Sequence, residues 1–257
     1  SSRRRHTRYW RDWSSDVCSS DLLYANCFDL ADVILTSTPH LASTVNRPEK
    51  TFVAPNLMQV DDYGTTTPAP LRKDEVIRIL WSGSTTHAGD FEIAEEAVSE
   101  ILRKWGNKVE FIFVGFCPGN LLKNWFGRGV VYQSGVPLDN YPKLLYQIHP
   151  HITLAPLSYC KFNESKSNIR VLEAWSLASA VVAADFGEYR VVQNGVNGLL
   201  ATTTEDWITQ LDTLISNEDL RLQLATAGRE TVNNYDWKNP ACHGQWQHFI
   251  NSLKYRN

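Results

Sequence analysis

The chain has 257 residues, 43% of them hydrophobic and 21% charged, ordinary values for a globular protein long enough to bury a core. A net charge of -3 gives none of the basic excess that marks a nucleic-acid binder. Five cysteines with no close pair supply neither a zinc spacing nor a disulfide framework and fit a reducing compartment. No apolar run approaches the roughly 18 residues that cross a bilayer, so the expectation is a cytoplasmic protein whose membrane contact, if any, is peripheral.

The opening run, residues 1–22, has no apolar periodicity and gathers Arg3, Arg4, Arg5, Arg8 and Arg11 toward one end. A basic arm or a transit peptide has that composition. The stretch Asp12 to Leu22, however, resembles the conceptual translation of a sequencing-library adapter. Such non-native segments stay out of fold reasoning, and the expectation is that native sequence ahead of Leu23 is missing.

Regular patterning begins at Ala31. ADVILTST reads as a buried strand, PHLASTV as a helix with proline in its first turn, and TFVAPN as a strand ended by Pro55 and Asn56. Residues Asp61 to Lys73 have the Gly, Pro and Thr content of a linker. Strands then alternate with helices. VIRILW is followed by a Gly83 turn and a helix from Asp90 to Trp105; VEFIFVG is followed by the amphipathic LLKNWF. VVYQSG, a helix through YPKLLYQI and the apolar ITLAPL continue the series. A helix from Ser165 to Leu177, the strand AVVAAD, a short helix before Asn194 and GLLA complete it. From Thr204 the chain reads as helical, with a break near Lys238–Pro240. This alternation predicts an α/β fold built on a doubly wound parallel sheet. The expected division is 23–73 as the remnant of a first domain plus linker, 74–217 as the Rossmann-like domain, and 218–257 as terminal helices. In such sheets ligands bind beyond the carboxyl ends of the strands, which selects the loops after Trp81, Leu157 and Asp185.

Those loops carry the unusual residues. Phe162 to Gly187, FNESKSNIRVLEAWSLASAVVAADFG, enters a predicted helix whose first turn holds Ser165, Lys166, Ser167 and Asn168, with Ile169 next. Free backbone N–H groups and the helix dipole favour an anion there, and Lys166 adds a positive charge. Glu173 follows about two turns later, roughly 12 Å along the axis. A phosphate at the helix start and a ribose held by the carboxylate fit one nucleoside diphosphate. The plainer reading has Ser165 and Asn163 capping the helix and Lys166 and Glu173 as surface charges, and local pattern alone favours it. Ile79 to Phe91, ILWSGSTTHAGDF, places Gly83 at a tight turn, offers the hydroxyls of Ser84, Thr85 and Thr86, and has His87 either as a phosphate partner or as a simple helix-start residue. Asp90 reads as the cap of the following helix. In ADFGEYRVVQNGVNGLL, Gly195 and Gly198 read as turn formers.

The first of these segments resembles the hallmark region of family-4 glycosyltransferases of the GT-B type, in which a first glutamate is followed by a second after seven intervening residues. Glu173 matches the second, which in that family binds the ribose hydroxyls. The first falls on Ser165, with Glu164 one residue out of register. KSNIR…LEA is similar to a bacterial subgroup with lysine and serine here. The family often has an arginine and a lysine in the Gly83 loop; this chain has neither, and His87 lies near the lysine position. ADFGEYRVVQNGVNGLL resembles the family's strand–glycine–helix–glycine segment, and the resemblance implies that Gly187 lets the backbone pass the sugar site. Ser134 to Leu145 resembles the stretch beside the nucleotide base, with backbone near Val136 as the contact. The resemblance covers about Ala31 to Tyr235, with the terminal helices as a tail crossing back toward the first domain.

The resemblance implies a retaining glycosyltransferase whose 74–217 domain binds a nucleotide-sugar donor, UDP- or GDP-linked, without a metal or other cofactor. Its acceptor would be a glycan or lipid-linked molecule in bacterial surface polysaccharide or lipopolysaccharide synthesis, and any peripheral membrane contact would run through the missing domain. Lys166 and His87 are the catalytic candidates. Gly83, Ser84, Thr85, Val136, Ser165, Ser167, Asn168, Ile169 and Glu173 are the donor-binding candidates. As a truncated fragment the chain is expected to turn over nothing. A degenerate GT-B module with a scaffold or regulatory role is the alternative. A dinucleotide-binding dehydrogenase is disfavoured, because SGSTTHAG stands where G-x-G-x-x-G would open the first turn.

Overall fold

The structure, a computed structural model, describes residues 26–64, 67–68 and 75–254. The adapter-like run and much of the expected linker lie outside those residues.

Six strands form one all-parallel sheet: β3 (Ile77–Ser82), β4 (Val109–Val114), β5 (Val130–Gln133), β6 (Ile152–Ala155), β7 (Ala180–Ala184) and β8 (Leu199–Ala201). Their spatial order is β5-β4-β3-β6-β7-β8, the doubly wound arrangement of dinucleotide-binding folds, which reverses direction between its first and fourth strands. Here the reversal lies between β3 and β6, which pair through Ile79↔Ile152 and Leu80↔Thr153. A separate two-stranded parallel unit, β1 (Ile34–Thr36) with β2 (Thr51–Val53), spans α1 (Pro39–Val45).

The central strands are continuous apolar runs because helices cover both faces. Every residue of β6 and β7 is buried. Helix α2 (Ala88–Trp105) buries Phe91, Ala94, Ala97, Val98, Ile101 and Leu102, a stripe at helical spacing. Trp81 lies within 5.0 Å of the Phe91 ring and 6.0 Å of Phe113, fixing the end of β3 against that helix. Trp175 and Trp207 are fully buried in the core.

Two expectations need correction. The segment Ser165–Leu177 is not one helix. A short helix, Lys161–Glu164, ends at Ser165, and a second begins at Ile169 and runs to Ser176. Lys166 N–H bonds the Asn163 carbonyl, so the SKSN run is a turn joining two helices and Asn168 directly precedes the second. Glu173 is therefore only about 6 Å along the axis from that helix start. The presumed linker also begins with structure: Val60–Tyr63 is a 3-10 turn with Val60 and Tyr63 buried in the main core.

The C-terminal helices do return toward the chain start. Glu218–Thr231 packs on the sheet side that holds Trp175, with Leu224 and Ala225 buried. Met58 then pairs with the crossing segment, its N–H bonding the Tyr235 carbonyl at 2.7 Å and its carbonyl accepting from Trp237 at 3.0 Å. The last helix, Gly244–Lys254, sets Phe249 against Phe52 at 5.8 Å, and Trp246 donates to the Pro55 carbonyl at 3.1 Å.

Candidate functional site

At the reversal between β3 and β6, the loops after the two strands face each other. The β3 loop begins with Gly83, where a Cβ would lie 2.8 Å from the Trp81 ring and 3.2 Å from an Arg170 nitrogen; only glycine lets the backbone pass. Gly115, after β4, has φ +88° and a hypothetical Cβ 2.6 Å from the Gly83 carbonyl oxygen, so two glycines stack at neighbouring strand ends. Beyond Gly83, Ser84, Thr85 and Thr86 are exposed, with Ser84 and Thr86 hydroxyls 2.6 Å apart. Val136 is half-buried in the loop after β5.

Asp90 joins this loop to the one after β6. Its Oδ2 accepts from Lys166 Nζ at 2.7 Å and His87 Nδ1 at 3.0 Å. Its Oδ1 accepts from Asn163 Nδ2 at 2.6 Å and the Ser158 hydroxyl at 3.1 Å. Burial alone would raise the Asp90 carboxyl, but the bonds from His87, Lys166 and Asn163 and the Lys166 charge outweigh it and hold it well below the usual carboxylate range. Asp90 is therefore not a helix cap. The residue before the helix is His87, which makes no side-chain capping bond, and Asp90 is a buried polar hub instead.

A second cluster surrounds Glu173. The Tyr63 hydroxyl donates to Oε1 at 3.4 Å and the Tyr141 hydroxyl to Oε2 at 3.5 Å. Tyr141 also bonds Ser82 Oγ at 2.8 Å. Arg170 reaches the Ser82 carbonyl oxygen and lies 5.9 Å over the Trp81 ring. Burial raises the Glu173 carboxyl, and the Arg170 charge and both phenols recover only part of that shift. Burial and the neighbouring Glu173 charge push the Tyr63 and Tyr141 hydroxyls far up, so both stay protonated as donors. Ser82, Arg170 and Glu173 line one small internal cavity with Leu80, Leu145 and Thr153.

Some of the expected residues gather at one place. Lys166, His87 and the Gly83 loop converge. Ser167 Oγ is engaged by Asn56 Nδ2 at 2.6 Å, and the Ser165 carbonyl accepts from Thr38 at 3.1 Å, so the two-stranded unit already touches the turn. Asn168 is buried. Ile169 is exposed at the helix start. Glu164, beside the serine that replaces the family's first acid, stands 3.6 Å from His40. Gly187, with φ +53°, runs past the Glu164 backbone; Gly198 is a close-packing position, its hypothetical Cβ 2.5 Å from Val181, rather than only a turn former. Sequence reasoning passed over Tyr63, Tyr141 and Arg170. Arg170 carried a usable signal, standing three residues before Glu173 and so on the same helix face. Among the described residues, no group of His, Cys, Asp and Glu is arranged to hold a metal, and no helix is long and apolar enough to cross a membrane.

No curated protein sequence matches the chain. Several solved structures share its fold. Sucrose-phosphate synthase from Thermosynechococcus elongatus superposes with a TM-score of 0.69 at 15% identity, over 92% of this chain and 62% of that one. TarM gives 0.68 at 14%, over 92% of this chain and 47% of TarM. HepE from Anabaena, solved with UDP and glucose, gives 0.64 at 17%, over 93% and 70%. The chain thus spans about half the length of TarM. A family model described as glycosyl transferase-like matches residues 94–241, more than half of the chain, and the chain belongs to that glycosyl transferase-like family.

Proposed function

We propose that this chain is the donor-binding half of a retaining, family-4-like glycosyltransferase that takes a sugar from a UDP- or GDP-linked donor. The supporting observation is the convergence of Lys166, His87 and the exposed Ser84–Thr86 hydroxyls at the strand reversal, with Glu173 a short distance along the adjoining helix. An ammonium carries three donors; Asp90 takes one from Lys166, and the others can meet a diphosphate. The first N–H groups of the helix from Ile169 add to that pull. Preorganised donors of this kind stabilise a departing diphosphate electrostatically, without a metal as an essential part. UDP in the HepE structure favours the uridine form. The acceptor is a glycan or lipid-linked molecule of bacterial surface polysaccharide or lipopolysaccharide synthesis, met at the cytoplasmic face of the membrane.

Calorimetric titration with UDP and GDP tests this. One nucleotide should bind, weakly, and Lys166→Ala should lower the affinity about tenfold, as expected for loss of a charge-assisted bond. Binding unaffected by Lys166→Ala and Glu173→Ala overturns the reading. A scaffold role is the second reading, favoured by Ser165 in place of an acid and by the Asn56 contact that occupies Ser167. Absence of binding to either nucleotide at millimolar concentration supports it.

A further inference from the structure

Asp90 has no capacity left for a ligand. A carboxylate offers about four lone-pair sites, and Asp90 receives Lys166 and His87 on one oxygen and Asn163 and Ser158 on the other. The residue is only 6% exposed. Its partners come from both loops that flank the strand reversal: His87 precedes helix α2, while Ser158, Asn163 and Lys166 lie in the segment after β6. Lys166 Nζ and His87 Nδ1 share a single oxygen, at 2.7 and 3.0 Å, so the two side chains are held at a fixed spacing. A carboxylate only accepts, so His87 Nδ1 must carry a proton, and the ring's other nitrogen is left for an outside partner.

We propose that Asp90 is a positioning residue: it sets the spacing of Lys166 and His87 across the strand reversal and the tautomer of His87, without itself touching the donor. The proposal rests on the donor-binding reading for its purpose, and on the Asp90 contacts alone for its geometry.

Asp90→Asn keeps the shape and the Oδ1 acceptor but removes the charge. Three readouts separate a positioning role from a structural one. The first needs no nucleotide: competitive acylation of lysines, read by mass spectrometry, should show Lys166 about tenfold more reactive in Asp90→Asn while Lys104 and Lys123 are unchanged. The second is the ring-nitrogen NMR spectrum of His87, which should shift from one tautomer to a mixture. The third is UDP affinity, which should fall about tenfold, with Lys166→Ala costing little more in the Asp90→Asn background. If Asp90→Asn does not fold, the same His87 spectrum in Lys166→Met and wild type decides, since the Nδ1-protonated form should persist in both. Unchanged Lys166 reactivity or a mixed His87 tautomer in wild type overturns the proposal. Tighter UDP binding by Asp90→Asn also overturns it, because Asp90 would then only repel the anion. If wild type binds no nucleotide, the donor-binding reading fails while acylation and NMR still decide the geometry.

Discussion

Tyr63 and Glu173, 110 residues apart in sequence, meet at 3.4 Å, the phenol donating to a carboxylate that burial has made reluctant to ionise. The contact ties the segment ahead of the sheet to the helix that lines its crevice.

A carboxyl raised above its ordinary 4.5 makes the folded state bind more protons than the unfolded one. The stability contributed by Glu173 is complete below the unfolded value and is lost as pH rises through the higher folded value. Glu173→Gln should flatten that decline. Urea denaturation of both proteins from about pH 4 to pH 8 checks it, and parallel curves would count against it.

His151 gives the opposite sign. Burial, with the nearby Arg78 charge, lowers it from 6.5 to about 4. The unfolded chain takes up the proton first, so stability falls as pH drops from 6.5 toward 4. The full effect is on the order of 3 kcal/mol. Its ring nitrogen accepts the Arg78 N–H at 3.0 Å. His151→Asn should be less stable at pH 8 yet lose less on acidification, visible in denaturation midpoints over the same window.

Glycine inside a helix normally costs about 1 kcal/mol relative to alanine. At Gly228 the order should reverse. A Cβ there would stand 2.3 Å from the Trp175 ring, which is fully buried and donates to the Asn197 carbonyl at 2.9 Å. Gly228→Ala should destabilise by about 1–3 kcal/mol through overpacking, read as a lower melting temperature.

Gly115→Ala combines a left-handed φ of +88° with a 2.6 Å approach to the Gly83 oxygen. The close approach pushes on the loop before Ser84, and the φ adds strain at position 115 itself. Stability should fall by about 1–3 kcal/mol, and UDP affinity should fall with it. A variant that melts early yet binds UDP as wild type does would detach Gly83 from the donor site.

The strands were legible because parallel strands buried on both faces leave unbroken apolar runs, as in ITLA and AVVAA. The Gly83 turn was legible too. The helix start was not. SKSN is polar and short, and nothing local distinguishes a first turn from a junction between two helices. Asp90 was misread for a related reason: a short acid ahead of an apolar helix has the local signature of a cap. Its real partners, Ser158, Asn163 and Lys166, lie 68 to 76 residues downstream. Tyr63 sat in a stretch whose composition reads as linker, and only tertiary packing shows its ring reaching Glu173.

The pairing of Met58 with Tyr235 and Trp237 stitches two separate passages of the backbone together. The β1–β2 unit is thus tied to the C-terminal segment both there and through Phe52 and Pro55, which meet Phe249 and Trp246 of the last helix. Asn56, two residues before Met58, holds Ser167, so the same stitched segment also fixes a side chain of the turn ahead of the Glu173 helix.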